Sequence, residues 1–328
     1  ASGDFGSAIL AKISSKIGGS AQRSQETASV NVRHSVNNLS FIKEIIKESG
    51  KRLVIEDFHY LSVDERKRFA FDLKAFWDYG LFVIIIGIWT ESNLLIYLNP
   101  DLSGRVREES IYWSSDDLKR VLEKGGDVLN IDFDVSFKES VVQNCYGNVG
   151  ILQYLILETL DILNIEKASE TPIDVKRTDK LEEAAMFYAE ELNPLYQQFA
   201  RNVSSGIRKR ADSTGIYAHV MSILLEDASD EELMHGVSVD YIFDKAHARE
   251  PRIQKGNLKR VLEKFERLQV DSEGRGLVLS YNESTEQVTI VDRQLLLYRK
   301  YSTVQWPWKE MIREASSSGD DYHVSEEF

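Results

Sequence analysis

The chain contains one cysteine, Cys145, in 328 residues. That excludes an internal disulfide and any cysteine-built metal cluster, and a cytoplasmic protein is the simple expectation. Basic residues are in deficit: 40 Lys and Arg against 53 Asp and Glu leave a formal charge of −13. A surface of that sign favours solubility and argues against non-specific binding of nucleic acid over the whole molecule. The longest apolar run, Leu81–Ile88, falls far short of the ~20 residues that a membrane span needs. The first residues show no signal-peptide pattern. No Ser-His-Asp, Gly-x-Ser-x-Gly or Gly-x-Gly-x-x-Gly pattern occurs, and the six histidines show no metal-ligand spacing. Also missing is the run Gly-x-x-x-x-Gly-Lys-Ser/Thr, whose backbone N–H groups cradle phosphates. Gly18-Gly19, Gly125-Gly126 and Gly147-Asn148-Val149-Gly150 all lack the Lys-Ser or Lys-Thr that would complete it.

What is present begins with a sizeable apolar fraction, 42%, in a length that fits about two or three domains. Phe5, Ile9, Leu10, Ile13 and Ile17 have helical spacing, and residues 18–36 read as a loop. Leu39, Ile42, Ile45 and Ile46 predict a helix that stops at Gly50. A strand is expected at 52–56. Ser62 and Glu65 form a capping box for a helix with Phe69, Leu73, Phe76 and Trp77 on one face. Residues 81–86 predict a second, fully buried strand, parallel to the first. Strand, helix and strand in this order fit one βαβ unit. A shorter strand is expected at 109–113.

The first strand ends in Glu56-Asp57-Phe58-His59. Parallel sheets place ligands at the carboxyl ends of their strands, and two acids there need a cation or solvent. The run Lys51 to Tyr60 resembles the Walker B motif of P-loop ATPases of the AAA+ and STAND kind. The resemblance implies that Glu56 helps hold Mg²⁺ and that Asp57 polarises the attacking water. Here Glu stands where the family usually has Asp. In the family the phosphate loop precedes this motif, so it would lie before residue 1; ATP and Mg²⁺ are expected only with such a loop. By the same resemblance Thr90 takes the place of the sensor 1 residue, and Arg105, in Leu102-Ser103-Gly104-Arg105-Val106-Arg107, the place of an arginine that reaches a neighbouring subunit's ATP, with Arg107 in reserve. Tyr146-Gly147-Asn148-Val149-Gly150 looks like the nucleotide-sensing turn of the family's lid, which makes Asn148 a nucleotide contact; Gly150 replaces its arginine or proline. Plainer readings stand beside these: a solvated strand exit, a surface arginine, a helix start after a tight turn.

Beyond residue 113 the chain reads as mostly helical. Ser114 with Asp117 and Ser136 with Glu139 are helix-start signals, giving helices near 115–125, 137–145 and 149–163. Residues 166–178 read as a linker, followed by a long helix, 179–207, bent at Pro194. Three further helices, the last on Leu258, Val261, Leu262, Phe265 and Leu268, precede a hairpin of strands 277–281 and 287–291. In this order they resemble a winged-helix domain. The fold class expected is therefore α/β followed by mostly α: a partial parallel-sheet P-loop core (1–113), a helical lid (114–168), a linker helix (169–212), a winged helix (213–303) and a tail (304–328), disordered from Ser316. Lys255, Lys259 and Arg260 are the candidate DNA contacts on the third helix. Segment 215–302 nevertheless carries 12 basic against 15 acidic residues, which favours a protein contact. Trp306-Pro307-Trp308 is expected to fold back on the domain. The resemblance implies a nucleotide-driven switch that assembles with itself or with a partner protein. The alternative is a non-enzymatic winged-helix scaffold that binds protein or DNA. No membrane partner is expected.

Overall fold

The computed structural model describes residues 39–88, 93–206, 214–270 and 276–320. The chain forms two compact units, Ala1–Glu109 and Ser110–Phe328. An α/β segment is followed by a mostly helical one. The expected helix at 5–17, the loop at 18–36, Thr90 and the tail beyond 320 lie outside the described residues.

In the first unit, α1 (Leu39–Ser49) ends before Gly50, whose φ of +64° suits glycine. β1 (Leu53–Ile55) and β2 (Val83–Ile85) pair in parallel, Leu53 opposite Val83 and Ile55 opposite Ile85. Parallel strands cannot be joined by a hairpin, and α2 (Val63–Asp78) makes the crossover. Its start is fixed by the expected capping box: the Ser62 hydroxyl accepts from the Glu65 N–H, and the Glu65 carboxylate accepts from the Ser62 N–H. Phe69, Ala70, Leu73 and Phe76 of α2 pack with Ile42, Phe58, Leu81 and with Leu94, Leu95 and Leu98 of α3 (Leu94–Leu98). Asn99 is buried behind them and donates to the Ala70 carbonyl at 3.0 Å.

Three expectations for this unit are corrected. Trp77 is exposed and leaves the buried face of α2; its ring sits edge-on to that of Phe82 instead. The second strand is not fully buried. Every second residue along it faces solvent, with Phe82 70%, Ile84 44%, Ile86 52% and Ile88 55% exposed, and Val54 beside Ile84 on β1 is 44% exposed. The physical reason is the period of two in a strand, with α2 covering one face only. Residues 109–113 form no strand: Ile111 and Tyr112 are exposed in irregular chain, and among the described residues the sheet has two strands.

The second unit begins with α4 (Ser115–Leu129), capped reciprocally by Ser114 and Asp117. Its end closes tightly on β3 (Ile131–Phe133): a side chain at Gly126 would meet the Ile131 carbonyl at 2.6 Å. β3 pairs in parallel with β4 (Ile173–Val175), so the expected linker at 166–178 contains a strand. α5 (Val135–Asn144) starts at Asp134, whose carboxylate accepts from the Ser136 N–H at 2.9 Å. This corrects the start assigned to Ser136 and Glu139: the helix already begins at Val135, with Asp134 as its cap, so Ser136 lies inside the first turn. α6 (Val149–Ile162) packs on α7 (Thr178–Ser205), a 28-residue helix containing Pro194. Buried Ala184, Ala185, Ala189 and Ala200 let neighbours approach α7 closely.

Then come α8 (Ile216–Ser222), continued by a wide turn at Ile223–Asp227, and α9 (Asp230–His235). β5 (Val237–Ser238) leads into α10 (Val239–Arg249). The expected third helix is two: α11 (Lys255–Leu262) and α12 (Phe265–Gln269). β6 (Leu279–Asn282) and β7 (Gln287–Ile290) form the expected hairpin, and β5 joins it to give an antiparallel sheet in the order β5-β7-β6. α13 (Gln294–Tyr301) buries Leu295, Leu296, Leu297 and Tyr298 in succession, which a helix does only when neighbours surround it. Residues 316–320, expected to be disordered, belong to α14 (Trp308–Asp320). Trp308 is wholly buried, stacks on Trp306 and donates its indole N–H to Glu226 at 3.0 Å. One core runs from Leu118 to Trp308, crossing the boundaries expected at 168 and 212.

Candidate functional site

The site is built where β1 and β2 end. The pairing continues past the strands: the Ile86 N–H donates to the Ile55 carbonyl at 2.8 Å, and the Phe58 N–H donates to the Ile86 carbonyl at 3.1 Å. Between these bonds lie Glu56 and Asp57, both exposed. Asp57 is left-handed, with φ +59° and ψ +34°, a conformation that aspartate tolerates better than most residues. It turns the chain into a short 3₁₀ turn, Phe58–Tyr60, and lets Phe58 drop into the core against Phe69, ring centroids 5.6 Å apart. His59 then reaches across to the second strand, where its Nδ1 accepts from the Ile88 N–H at 3.3 Å. That bond needs an unprotonated Nδ1, so the neutral ring carries its proton on Nε2. Burial lowers the pKa of His59, with the Asp57 carboxylate pulling the other way. The histidine is therefore a brace between the two strand exits rather than a solvated turn residue.

Two exposed carboxylates beside a braced strand exit can hold a hydrated divalent cation, since Mg²⁺ keeps several waters and takes one or two carboxylates. Among the described residues no group of three or more His, Cys, Asp or Glu comes together, so Glu56 and Asp57 fit such an ion only with outside ligands. Arg105 is half-buried in the same unit; its guanidinium donates to the Asp101 carbonyl at 3.2 Å. Asp101 in turn pairs with Lys74. Arg107 is exposed and pairs with Glu109.

Asn148 belongs to the second unit, where it caps α6: its Oδ1 accepts from the N–H groups of Gly150 at 2.8 Å and Ile151 at 3.3 Å. Lys255 and Lys259 on α11 are engaged as well. Lys255 pairs with Asp240 of α10, and Lys259 with Glu286 of the hairpin loop at 2.5 Å. Arg260 is exposed.

The sequence reading missed the way the Asn144–Asn148 turn is held. Tyr146 and Gly147 are both left-handed. Arg293, at the start of α13, donates to the Tyr146 carbonyl at 2.6 Å. Lys300 and the Tyr301 hydroxyl both donate to Asn144 Oδ1, at 2.8 and 2.9 Å. Glycine and asparagine marked the turn in the sequence; its partners lie about 150 residues away and left no local signal. No protein-family model and no curated protein matches the chain.

Proposed function

We propose that the first unit is the Walker B portion of an AAA+ or STAND-like P-loop ATPase core and that the chain serves as an ATP-dependent molecular switch. The observation that carries this reading is the pair Glu56 and Asp57 at the carboxyl end of a strand paired in parallel with β2. Glu56 is the residue to hold a water-bound Mg²⁺, and Asp57 the residue to take a proton from the attacking water. Bound Mg²⁺ would supply charge neutralisation at the phosphates. The phosphate cradle itself has no counterpart in the sequence, so the 328 residues alone are not expected to hydrolyse ATP. Thr90 and Arg105 are the proposed sensor and subunit-bridging residues, and Asn148 the proposed lid contact.

Helices α8, α10 and α11–α12 with the sheet β5-β7-β6 support a winged-helix reading of the C-terminal segment. A second reading, a scaffold that contacts protein rather than DNA, is favoured by the ion pairs that occupy Lys255 and Lys259. Among the described residues no helix is long and apolar enough to cross a membrane.

The test is Mn²⁺ titration followed by paramagnetic broadening of backbone NMR signals, with calorimetry against Mg-ATP alongside. Broadening should centre on residues 55–60 and 86–88 and vanish in Glu56→Gln/Asp57→Asn. Mg-ATP should bind no tighter than millimolar. Broadening that survives the double substitution sinks the metal site, and micromolar ATP binding sinks the assignment of the missing cradle.

A further inference from the structure

Helices α6 and α7 bury one side of themselves and leave large apolar groups on the other. Leu157 of α6 is 71% exposed, and Phe187 and Leu195 of α7 are 43% and 50% exposed. The seam between the two helices is closed by Tyr154 and Tyr188, whose rings stack with centroids 3.8 Å apart. The Glu191 carboxylate lies beside the Tyr154 hydroxyl and, after burial, helps raise its pKa. Helical spacing sets the remaining groups beside this seam. Leu157 lies three residues beyond Tyr154, and Phe187, Glu191 and Leu195 recur at every fourth position along α7.

The two helices are predominantly acidic. α6 carries Glu158 and Asp161 and no basic residue; α7 carries five acids against Lys180 and Arg201. Lys180 is taken by Glu183. An acidic face of this kind repels phosphate backbones and anionic lipid surfaces alike. It also repels a second copy of itself, because an isologous contact would set like charges opposite each other. A helical face has already used its backbone hydrogen bonds internally, so it cannot recruit a strand. What remains complementary is a helix with an apolar stripe flanked by lysine or arginine, laid along the ridge of every fourth residue.

We infer that the α6–α7 face, centred on Leu157, Phe187 and Leu195 and rimmed by Glu158 and Glu191, docks a basic amphipathic helix of a partner protein. The inference stands independently of the nucleotide reading.

The experiment uses the full chain and three labelled peptides of equal length: a leucine-striped lysine helix, its leucine-striped glutamate counterpart, and a lysine–serine peptide without the stripe. Fluorescence anisotropy should show saturable binding of the first alone, at least tenfold weaker at about 300 mM than at about 50 mM salt. Leu157→Ser/Phe187→Ser/Leu195→Ser should weaken binding at least tenfold, the scale on which apolar anchors act, with an unchanged circular-dichroism melt because these side chains are exposed. Glu158→Gln/Glu191→Gln should flatten the salt dependence. Undiminished binding by the triple variant, equal binding of the glutamate peptide, or no binding at low salt overturns the proposal. So does concentration-dependent self-association abolished by the triple variant, which would make a second copy the occupant.

Discussion

The two units handle apolar surface in opposite ways. In the first, one face of β1 and β2 is packed under α2, and the other presents Val54, Phe82, Ile84, Ile86 and Ile88 to solvent. In the second, α7 and α13 sit inside a continuous core, and four successive residues of α13 are buried. Parallel sheets are normally covered on both faces, and exposed apolar patches mark contact surfaces. The candidate metal-binding acids therefore stand at the rim of an open sheet, while the helical unit closes on itself around a continuous core. The half-covered unit carries the exposed pair Glu56 and Asp57, and the closed unit carries the larger continuous core.

The sharpest way to break this contrast is a pair of truncations. Leu296→Ala, in the fully buried helix α13, should cost about 2–5 kcal/mol. Ile84→Thr, on the open face, keeps a β-branched side chain and should change stability by no more than about 0.5 kcal/mol. Urea melts followed by circular dichroism measure both. If Ile84→Thr costs as much as Leu296→Ala, the face is covered and the contrast fails.

A second pair separates close packing from open surface within one helix. Gly125 and Gly126 both lie in α4, where alanine is normally the better residue by ~1 kcal/mol. A side chain at Gly125 meets nothing within 4 Å, whereas one at Gly126 meets the Ile131 carbonyl at 2.6 Å. Gly125→Ala should raise stability by roughly 0.4–1 kcal/mol. Gly126→Ala should lower it by about 1–3 kcal/mol, since a backbone atom must move. Shifts of opposite sign in thermal midpoint, the larger one at Gly126, would agree; two stabilising substitutions would show that α4 and β3 are loosely joined.

Features legible in the sequence were those whose cause is local. Ser62 with Glu65 and Ser114 with Asp117 announce helix starts because cap and partner are three residues apart. The apolar runs before Glu56 and at residues 81–86 announced strands, and Trp306-Pro307-Trp308 announced a return to the domain. What stayed hidden depends on distant partners. Ile131-Asp132-Phe133 becomes a strand only because Ile173-Asp174-Val175 lies beside it. The fully buried Leu295-Leu296-Leu297 run has no amphipathic period from which to read a helix. The exposure of Ile84 and Ile86 could not be read from a run whose composition is that of a buried strand. At the candidate site the acids were legible and the His59 brace was not, because its acceptor role depends on an N–H 29 residues away.

Acid should test the closed unit first. His219 is buried on α8, with no hydrogen-bond partner for its Nδ1 among the described residues. Burial lowers its pKa below the usual 6.5, and Arg249 adds to that effect while Glu250 opposes it. A base depressed in this way binds its proton more readily when unfolded, so its contribution is complete above pH 6.5 and is lost as pH falls from there towards the folded pKa. One such group gives a slope of at most ~1.4 kcal/mol per pH unit. Asp292 acts in the opposite sense: burial raises its carboxyl pKa while the Tyr196 hydroxyl opposes that shift, so its protonation in the fold adds stability at lower pH. Urea melts between pH 7 and 5 should show stability falling with pH, and His219→Gln should flatten that fall. An unchanged slope would place the titration elsewhere.

The smallest effects belong to α11. Lys255 and Lys259 are partly exposed and paired with Asp240 and Glu286, and such pairs contribute only about 0–1 kcal/mol. Lys255→Gln and Lys259→Gln should therefore hardly move the melt. Their use lies in separating two roles for this helix. If α11 met DNA through all three basic residues, neutralising Lys255, Lys259 and Arg260 together would flatten the salt dependence of log K by up to about 2.7, at ~0.9 per phosphate contact. The ion pairs already hold two of these charges against carboxylates, so Arg260→Gln alone should account for any change, about 0.9 at most. An anisotropy titration with duplex DNA at several salt concentrations measures it. No detectable binding at low salt is the expected result, given 12 basic against 15 acidic residues over 215–302. A change near 2.7 would mean that Asp240 and Glu286 release their lysines to phosphate, and the C-terminal segment would then be a DNA reader rather than a protein contact.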